Sequence, residues 1–361
     1  MNVRFAVSFC GAVVALSLAA TVVIMGQARN TNATTPAAKA ASTAWTAPWG
    51  DPDLQGVYNI LTLTPLERPA QFADKEFLTE EEAAAIERRA NEGAEKEVVV
   101  EKGDTGFYNR FWRDPGPDAR PRVLPTRRTS LIVDPSNGRL PPLTPRGQQI
   151  KDKVKAILDK DGPMVFNRVG PTRLARDGSN YADSYLDRDT IERCLSSALP
   201  TIAGSLVGNN GIEIVQAPGV VLMHYESGAS RVIPLDGRPH LPPNIRQWMG
   251  DSRGHWEGKT LVVDVTNFND DQGYQGGLPQ GKLHLVERFT RASENMLSYE
   301  ATVDDPPHFT RPWTVAYPWV KDPKYVIYED ACHEGNDSLT GILSGARAKE
   351  REAADAATKR R

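Results

Sequence analysis

Beyond residue 28 the chain has only two cysteines, Cys194 and Cys332. Neither belongs to a CxxC or CxxCH pair, which excludes a dithiol redox centre, a cysteine-rich zinc site and covalently attached haem. HExxH, a Walker loop and a GxGxxG turn after a strand are also missing, so the commonest local signatures of metalloproteases, nucleotide hydrolases and dinucleotide enzymes do not apply. Charge of one sign is lacking as well: 43 basic residues face 46 acidic ones. Nucleic-acid binding needs a basic surface to neutralise phosphates, and this balance supplies none. After Met25 no apolar run approaches the roughly 20 residues that span a bilayer.

The amino terminus has the layout of a secretory signal peptide. Arg4 provides the positive start, Ala6 to Met25 is almost wholly apolar or small, and Gly26-Gln27-Ala28 offers small residues for cleavage. An uncleaved anchor is the alternative. Cleavage after Ala28 removes Cys10 and leaves one cysteine pair, which in an oxidising compartment is expected to form a Cys194–Cys332 disulfide. The expected location is therefore the periplasm or the extracellular space, with no membrane span after cleavage. Residues 29–44, mostly Ala, Thr and Asn, form a flexible linker.

With 27 prolines and 29 glycines, turns and strands are expected to dominate over helices. Residues 45–200 make a proline-rich arm with a short strand from Gly56 toward Leu63. Two helices start at clear caps: Thr79 with Glu82 forms a capping box, and Thr144 precedes Pro145 at the first helical position. A further strand covers Thr129–Asp134 and a short helix Thr190–Leu195. From Gly211 strands recur without intervening helices: Gly211–Gln216, Val220–Tyr225, Ser230–Leu235, Gly254–Glu257, Thr260–Phe268, Leu283–Thr290, Met296–Val303, Thr314–Val320 and Tyr325–Asp330. Such spacing predicts an antiparallel meander over residues 201–338, closed into a lipocalin-like barrel or a strongly curved sheet. A polar helical tail occupies 339–361.

Alternation in the 283–303 hairpin defines an interior face. Leu283, Leu285, Glu287 and Phe289 share one side of the first strand, and Leu297, Tyr299, Ala301 and Val303 one side of the second. Glu287 should thus point into apolar surroundings, where a carboxylate requires a cation, donors or a metal. Arg253 is the candidate counter-charge. His284, on the opposite face, should point outward, as should Arg288 and Glu300.

All six histidines lie between His224 and His333. Their concentration leaves a metal open, although no spacing specifies one and no cofactor is expected. Two polar segments stand out. Asp236 to Arg253 joins two strands and holds Arg238, His240, Trp248, Asp251 and Arg253 on a proline-stiffened loop. Glu329 to Asn336 holds His333 and Glu334 beside Cys332. Candidate catalytic residues are Glu287, His240, Arg253, His333 and Glu334; candidate ligand contacts are Arg238, Asp251, Trp248 and Tyr299.

The stretches Pro234-Leu235-Asp236-Gly237-Arg238-Pro239-His240-Leu241-Pro242, Gly250-Asp251-Ser252-Arg253-Gly254-His255-Trp256-Glu257-Gly258 and Ala331-Cys332-His333-Glu334-Gly335-Asn336, with the opening Asp51-Pro52-Asp53-Leu54-Gln55-Gly56-Val57-Tyr58, resemble a family of secreted bacterial proteins. The resemblance implies a bacterial envelope context and carries no activity with it. Three readings follow. The first is a barrel that binds a small, partly apolar molecule, with inward aromatics around its body and Arg238, His240, Arg253 and Glu287 at its polar end. The second is a cofactor-independent lyase, isomerase or hydrolase using Glu287 or His240 as base. The third is a structural subunit of an envelope complex whose arm wraps a protein partner.

Overall fold

The computed structural model describes residues 45–95, 125–161, 182–188, 190, 193–195, 210–271, 273–275, 277–323, 325–327, 329 and 331–359. The expected signal peptide and linker lie outside these residues, as does part of the expected Thr190–Leu195 helix. Strands β1 (Gly56–Asn59) and β2 (Ile132–Asp134) and helices α1 (Glu80–Glu95) and α2 (Pro145–Asp161) come first. Strands β3 (Gly211–Ala217), β4 (Val220–Tyr225), β5 (Ser230–Pro234), β6 (Asp251–Glu257) and β7 (Thr260–Thr266) follow. A small ribbon of β8 (Gly273–Tyr274) and β9 (Leu278–Pro279) precedes β10 (His284–Arg291), β11 (Met296–Asp304) and β12 (Trp313–Lys321), and α3 (Asp337–Lys359) closes the chain.

Both sequence-predicted caps are present. The Thr79 hydroxyl accepts from the Glu82 amide at 3.2 Å, while the Glu82 carboxylate accepts from the Thr79 amide at 2.7 Å. At α2 the Thr144 hydroxyl accepts from the Gly147 amide at 3.1 Å, with Pro145 next to it.

The main sheet is antiparallel and nearly closed into a barrel, in the order β5-β4-β3-β1-β12-β11-β10-β7-β6, with β2 also pairing β12. It is not a simple meander, because β1 lies between β3 and β12 and pairs with both. The arm therefore supplies a strand at the centre of the sheet. This explains the one expected strand that is absent: the described residues of Tyr325–Asp330 form none. With β1 on the edge of β12, that stretch has no ladder to join. Instead Tyr325 packs its ring over Gly211, where an added Cβ would stand 2.6 Å from the ring, and its hydroxyl donates to Glu226.

Register stacks the interior in layers. Leu261, Phe289, Tyr299 and Tyr317 are cross-strand neighbours, and beside them run Gly254, Val263, Glu287, Ala301 and Val315. Aromatic rings fill much of the space. Tyr299 lies 4.7 Å from Trp319 and 5.2 Å from Phe289 between ring centroids, and all three side chains are fully buried.

β5 and β6 are the two ends of the strand order, and no main-chain ladder joins them among the described residues. Side chains close the seam. A Cβ on Gly254 would stand 2.6 Å from Leu235 Cδ2 and 2.8 Å from Ile233 Cγ2, so the bare backbone of β6 lets the β5 side chains seat against it. The Cys194–Cys332 disulfide also forms, with a Cα separation of 5.6 Å across 138 residues of sequence. Gly254→Val should force the seam apart and destabilise the fold by about 1–3 kcal/mol, as overpacking typically does. Urea denaturation of the variant checks this, and an unchanged midpoint would refute the seam packing.

Candidate functional site

Two polar constellations sit on opposite faces of the same strands. The inner one begins with alternation in β5, which places Arg231 on the side of Ile233, facing the barrel interior. Its side chain is only 2 % exposed, and Glu287 opposite is fully buried. The two form an ion pair that crosses from β5 to β10, past β6 and β7. Arg231 Nε also donates to the Ser252 hydroxyl at 2.8 Å, and the Tyr299 hydroxyl donates to the second Glu287 oxygen at 2.9 Å. Burial alone would lower the proton affinity of Arg231, but the facing Glu287, with a smaller contribution from Tyr225, outweighs it and raises its pKa. Burial, reinforced by the charge of Glu287, raises that of Tyr299 well above the usual phenol value. Tyr299 is thereby held as a neutral donor, and Arg231 as a permanent cation.

Glu287 thus points inward as alternation predicts, but its partner is Arg231, not Arg253. Arg253 lies on the outer side of β6, where it binds Asp251 at 2.7 Å and donates to the Pro239 carbonyl at 3.0 Å. The reason is parity: Ser252 and Gly254 are the inward residues of β6, so Arg253 between them must face out.

The outer constellation is built on the loop that links β5 to β6. His240 places Nδ1 2.9 Å from Asp251 and Nε2 2.7 Å from Asp264. His284 on β10 places its own Nε2 2.7 Å from the other oxygen of Asp264. The Leu241 amide donates to Asp251 at 2.8 Å, which fixes the loop beside the histidine. The hydrogen bond that His284 donates to Asp264 raises the pKa of the imidazole against the opposing effect of burial. For Asp264, burial pushes upward, but the bonds from His284 and His240 prevail and its pKa is lowered.

The remaining candidates stand apart from both groups. Arg238 is exposed and paired with Asp236. Trp248 lies half-buried under the guanidinium of Arg193, 5.8 Å away. His333 and Glu334 are exposed on a turn next to the disulfide. His284 is half-exposed on the outer face as alternation requires, and Arg288 pairs with Glu257 at 2.6 Å from the exterior. The structure unites Glu287 with Tyr299, and His240 with Asp251 and Arg253, in two sites where the sequence suggested one. Arg231, Ser252, Asp264 and His284 were missed as site members. Period-two spacing with Ile233 could have found Arg231. Nothing local marks Asp264, whose partners come from a different strand and a loop. Among the described residues no group of three or more His, Cys, Asp or Glu is arranged to hold a metal ion.

Comparison with known protein families, with curated proteins and with solved structures finds no match for this chain. The functional reading therefore rests on the geometry.

A buried ion pair is fragile to the loss of one partner. Glu287→Gln leaves Arg231 buried without a counter-charge and should cost about 3–5 kcal/mol, whereas Arg231→Met combined with Glu287→Leu should cost far less. Chemical denaturation of the single and double variants checks this; equal losses would show that the two side chains are not coupled.

Proposed function

We propose that this is an exported β-barrel protein that binds a small, partly apolar molecule inside the barrel, with the guest's polar end accepting hydrogen bonds. One observation carries the reading. Trp256, Trp313 and Trp319 each bury an indole N–H that meets no acceptor among the described residues. All three lie on the interior side of their strands. Buried donors in folded proteins are nearly always satisfied, so three unanswered indole donors on the interior side support an occupant that accepts. The Arg231–Glu287–Tyr299 group supports the same reading, because a core selected only for packing would do as well with apolar side chains there.

Export is supported by the Cys194–Cys332 disulfide and by the signal-like amino terminus. No helix of the described residues is long and apolar enough to cross a membrane. The enzymatic reading is less well supported, since both oxygens of Glu287 are already engaged and its use as a base would break the pair. The structural-subunit reading has one observation in its favour. Val215, Leu222 and Val232 form an apolar row across the outer face of β3, β4 and β5, and Val232 is 60 % exposed.

Native mass spectrometry of protein purified from its own cell envelope is the decisive measurement. The expected result is a chain beginning after Ala28 that carries one small molecule, released on unfolding. Protein that is always empty, with size-exclusion chromatography showing it in a stable complex, would replace the binding reading with the structural one.

A further inference from the structure

The buried ion pair is closed on its acidic side and open on its basic side. Glu287 accepts from Arg231 through one oxygen and from Tyr299 through the other. Arg231 gives Nη2 to Glu287 and Nε to Ser252, and Tyr225, inward on β4, adds to the stabilisation of its charge. Its Nη1 is buried and has no hydrogen-bond partner. That nitrogen carries hydrogens to donate and no lone pair to accept with. We infer that Arg231 Nη1 anchors the guest and that the guest is a neutral carbonyl compound, a ketone or an ester, in place of an acid, an amine or an alcohol. The inference names the class of molecule for the barrel site and rests on the binding reading.

Charge decides against an acid. Arg231 and Glu287 sum to zero before any guest arrives. Val263 and Ala301 flank Glu287 across the strands, and the rows on either side, ending in Tyr317 and in Trp313, are uncharged as well. A carboxylate guest would add a second negative charge beside Glu287 with no cation left to pair with it, which an apolar interior strongly disfavours. An ammonium guest would meet a guanidinium and a carboxylate whose two oxygens are both engaged.

Hydrogen-bond polarity decides against an alcohol. A hydroxyl brings a donor of its own to a place whose open group is a donor. A ketone or ester oxygen brings only acceptor lone pairs, and a hydrogen bond from a charged donor to it is among the stronger ones a protein forms. The surroundings suit the rest of such a molecule. Tyr299, whose hydroxyl holds Glu287, lies 4.7 Å from Trp319 and 5.2 Å from Phe289 between ring centroids, so the polar group adjoins aromatic surface.

Three probes built on the same two phenyl rings separate these cases. Benzophenone carries a carbonyl, diphenylmethane carries none and diphenylacetate carries a carboxylate, which is ionised at about pH 7. Isothermal titration calorimetry on the full chain measures each affinity. Benzophenone should bind about tenfold tighter than diphenylmethane, the order that a hydrogen bond from a charged donor supplies, and diphenylacetate more weakly than either. Arg231→Lys keeps a charge opposite Glu287 but removes the Nη1 donor, and should erase the preference for benzophenone over diphenylmethane. If that variant does not fold, Arg231→Met combined with Glu287→Leu removes the same donor without stranding a charge, and the same loss is expected. Benzophenone bound no tighter than diphenylmethane, diphenylacetate bound tightest, or a preference that survives the loss of Arg231 overturns the inference and leaves the binding reading standing. Failure of all three probes to bind also overturns the inference, and native mass spectrometry of the purified protein then decides the binding reading separately.

Discussion

The structure depends on a single charged contact across the barrel, from Arg231 on β5 to Glu287 on β10. A carboxylate and a guanidinium in an apolar interior are tolerated only when each answers the other and their remaining hydrogen-bonding positions are filled. Ser252 answers the guanidinium Nε and Tyr299 the second carboxylate oxygen. Small residues share their layer: Ala301 is the cross-strand neighbour of Glu287, and Gly254, in the same row, leaves the space that Leu235 and Ile233 fill. The pair also joins the one strand edge that lacks a ladder to a strand in the middle of the sheet, so it serves as a tie where main-chain hydrogen bonding is missing.

The loop between β5 and β6 carries a second set of charges on the outside of the same seam. The two sets differ in the physics that governs them. Inside, burial works against the Arg231 charge, and the pairing with Glu287 outweighs it and keeps the guanidinium charged. Outside, His240, His284 and Asp264 are only partly buried and bond to one another within reach of solvent.

Much of the fold is legible in single residues. Thr79 with Glu82, and Thr144 with Pro145, announce their helices because a cap is a local matter of a side chain and the next backbone amides. Leu285, Glu287, Phe289, Leu297 and Tyr299 announce their orientation because a strand alternates with a period of two. The candidate site is less legible. Arg253 and His240 look like members of the Glu287 group because all are polar side chains in or beside the strands of one barrel, yet parity sends Arg253 outward. Asp264 carries no signal at all until His240 and His284 are brought to it.

Taken alone, the amino-acid sequence determined the cysteine pair, the antiparallel barrel and the inward direction of Glu287. These follow from composition, caps and alternation, which act over a few neighbouring residues. The tertiary structure alone decided that β1 enters the sheet between β3 and β12, that Arg231 answers Glu287, and that the seam lies between β5 and β6. Each is a contact between residues far apart in the chain, chosen by shear and closure of the sheet, and no short-range preference contains that information.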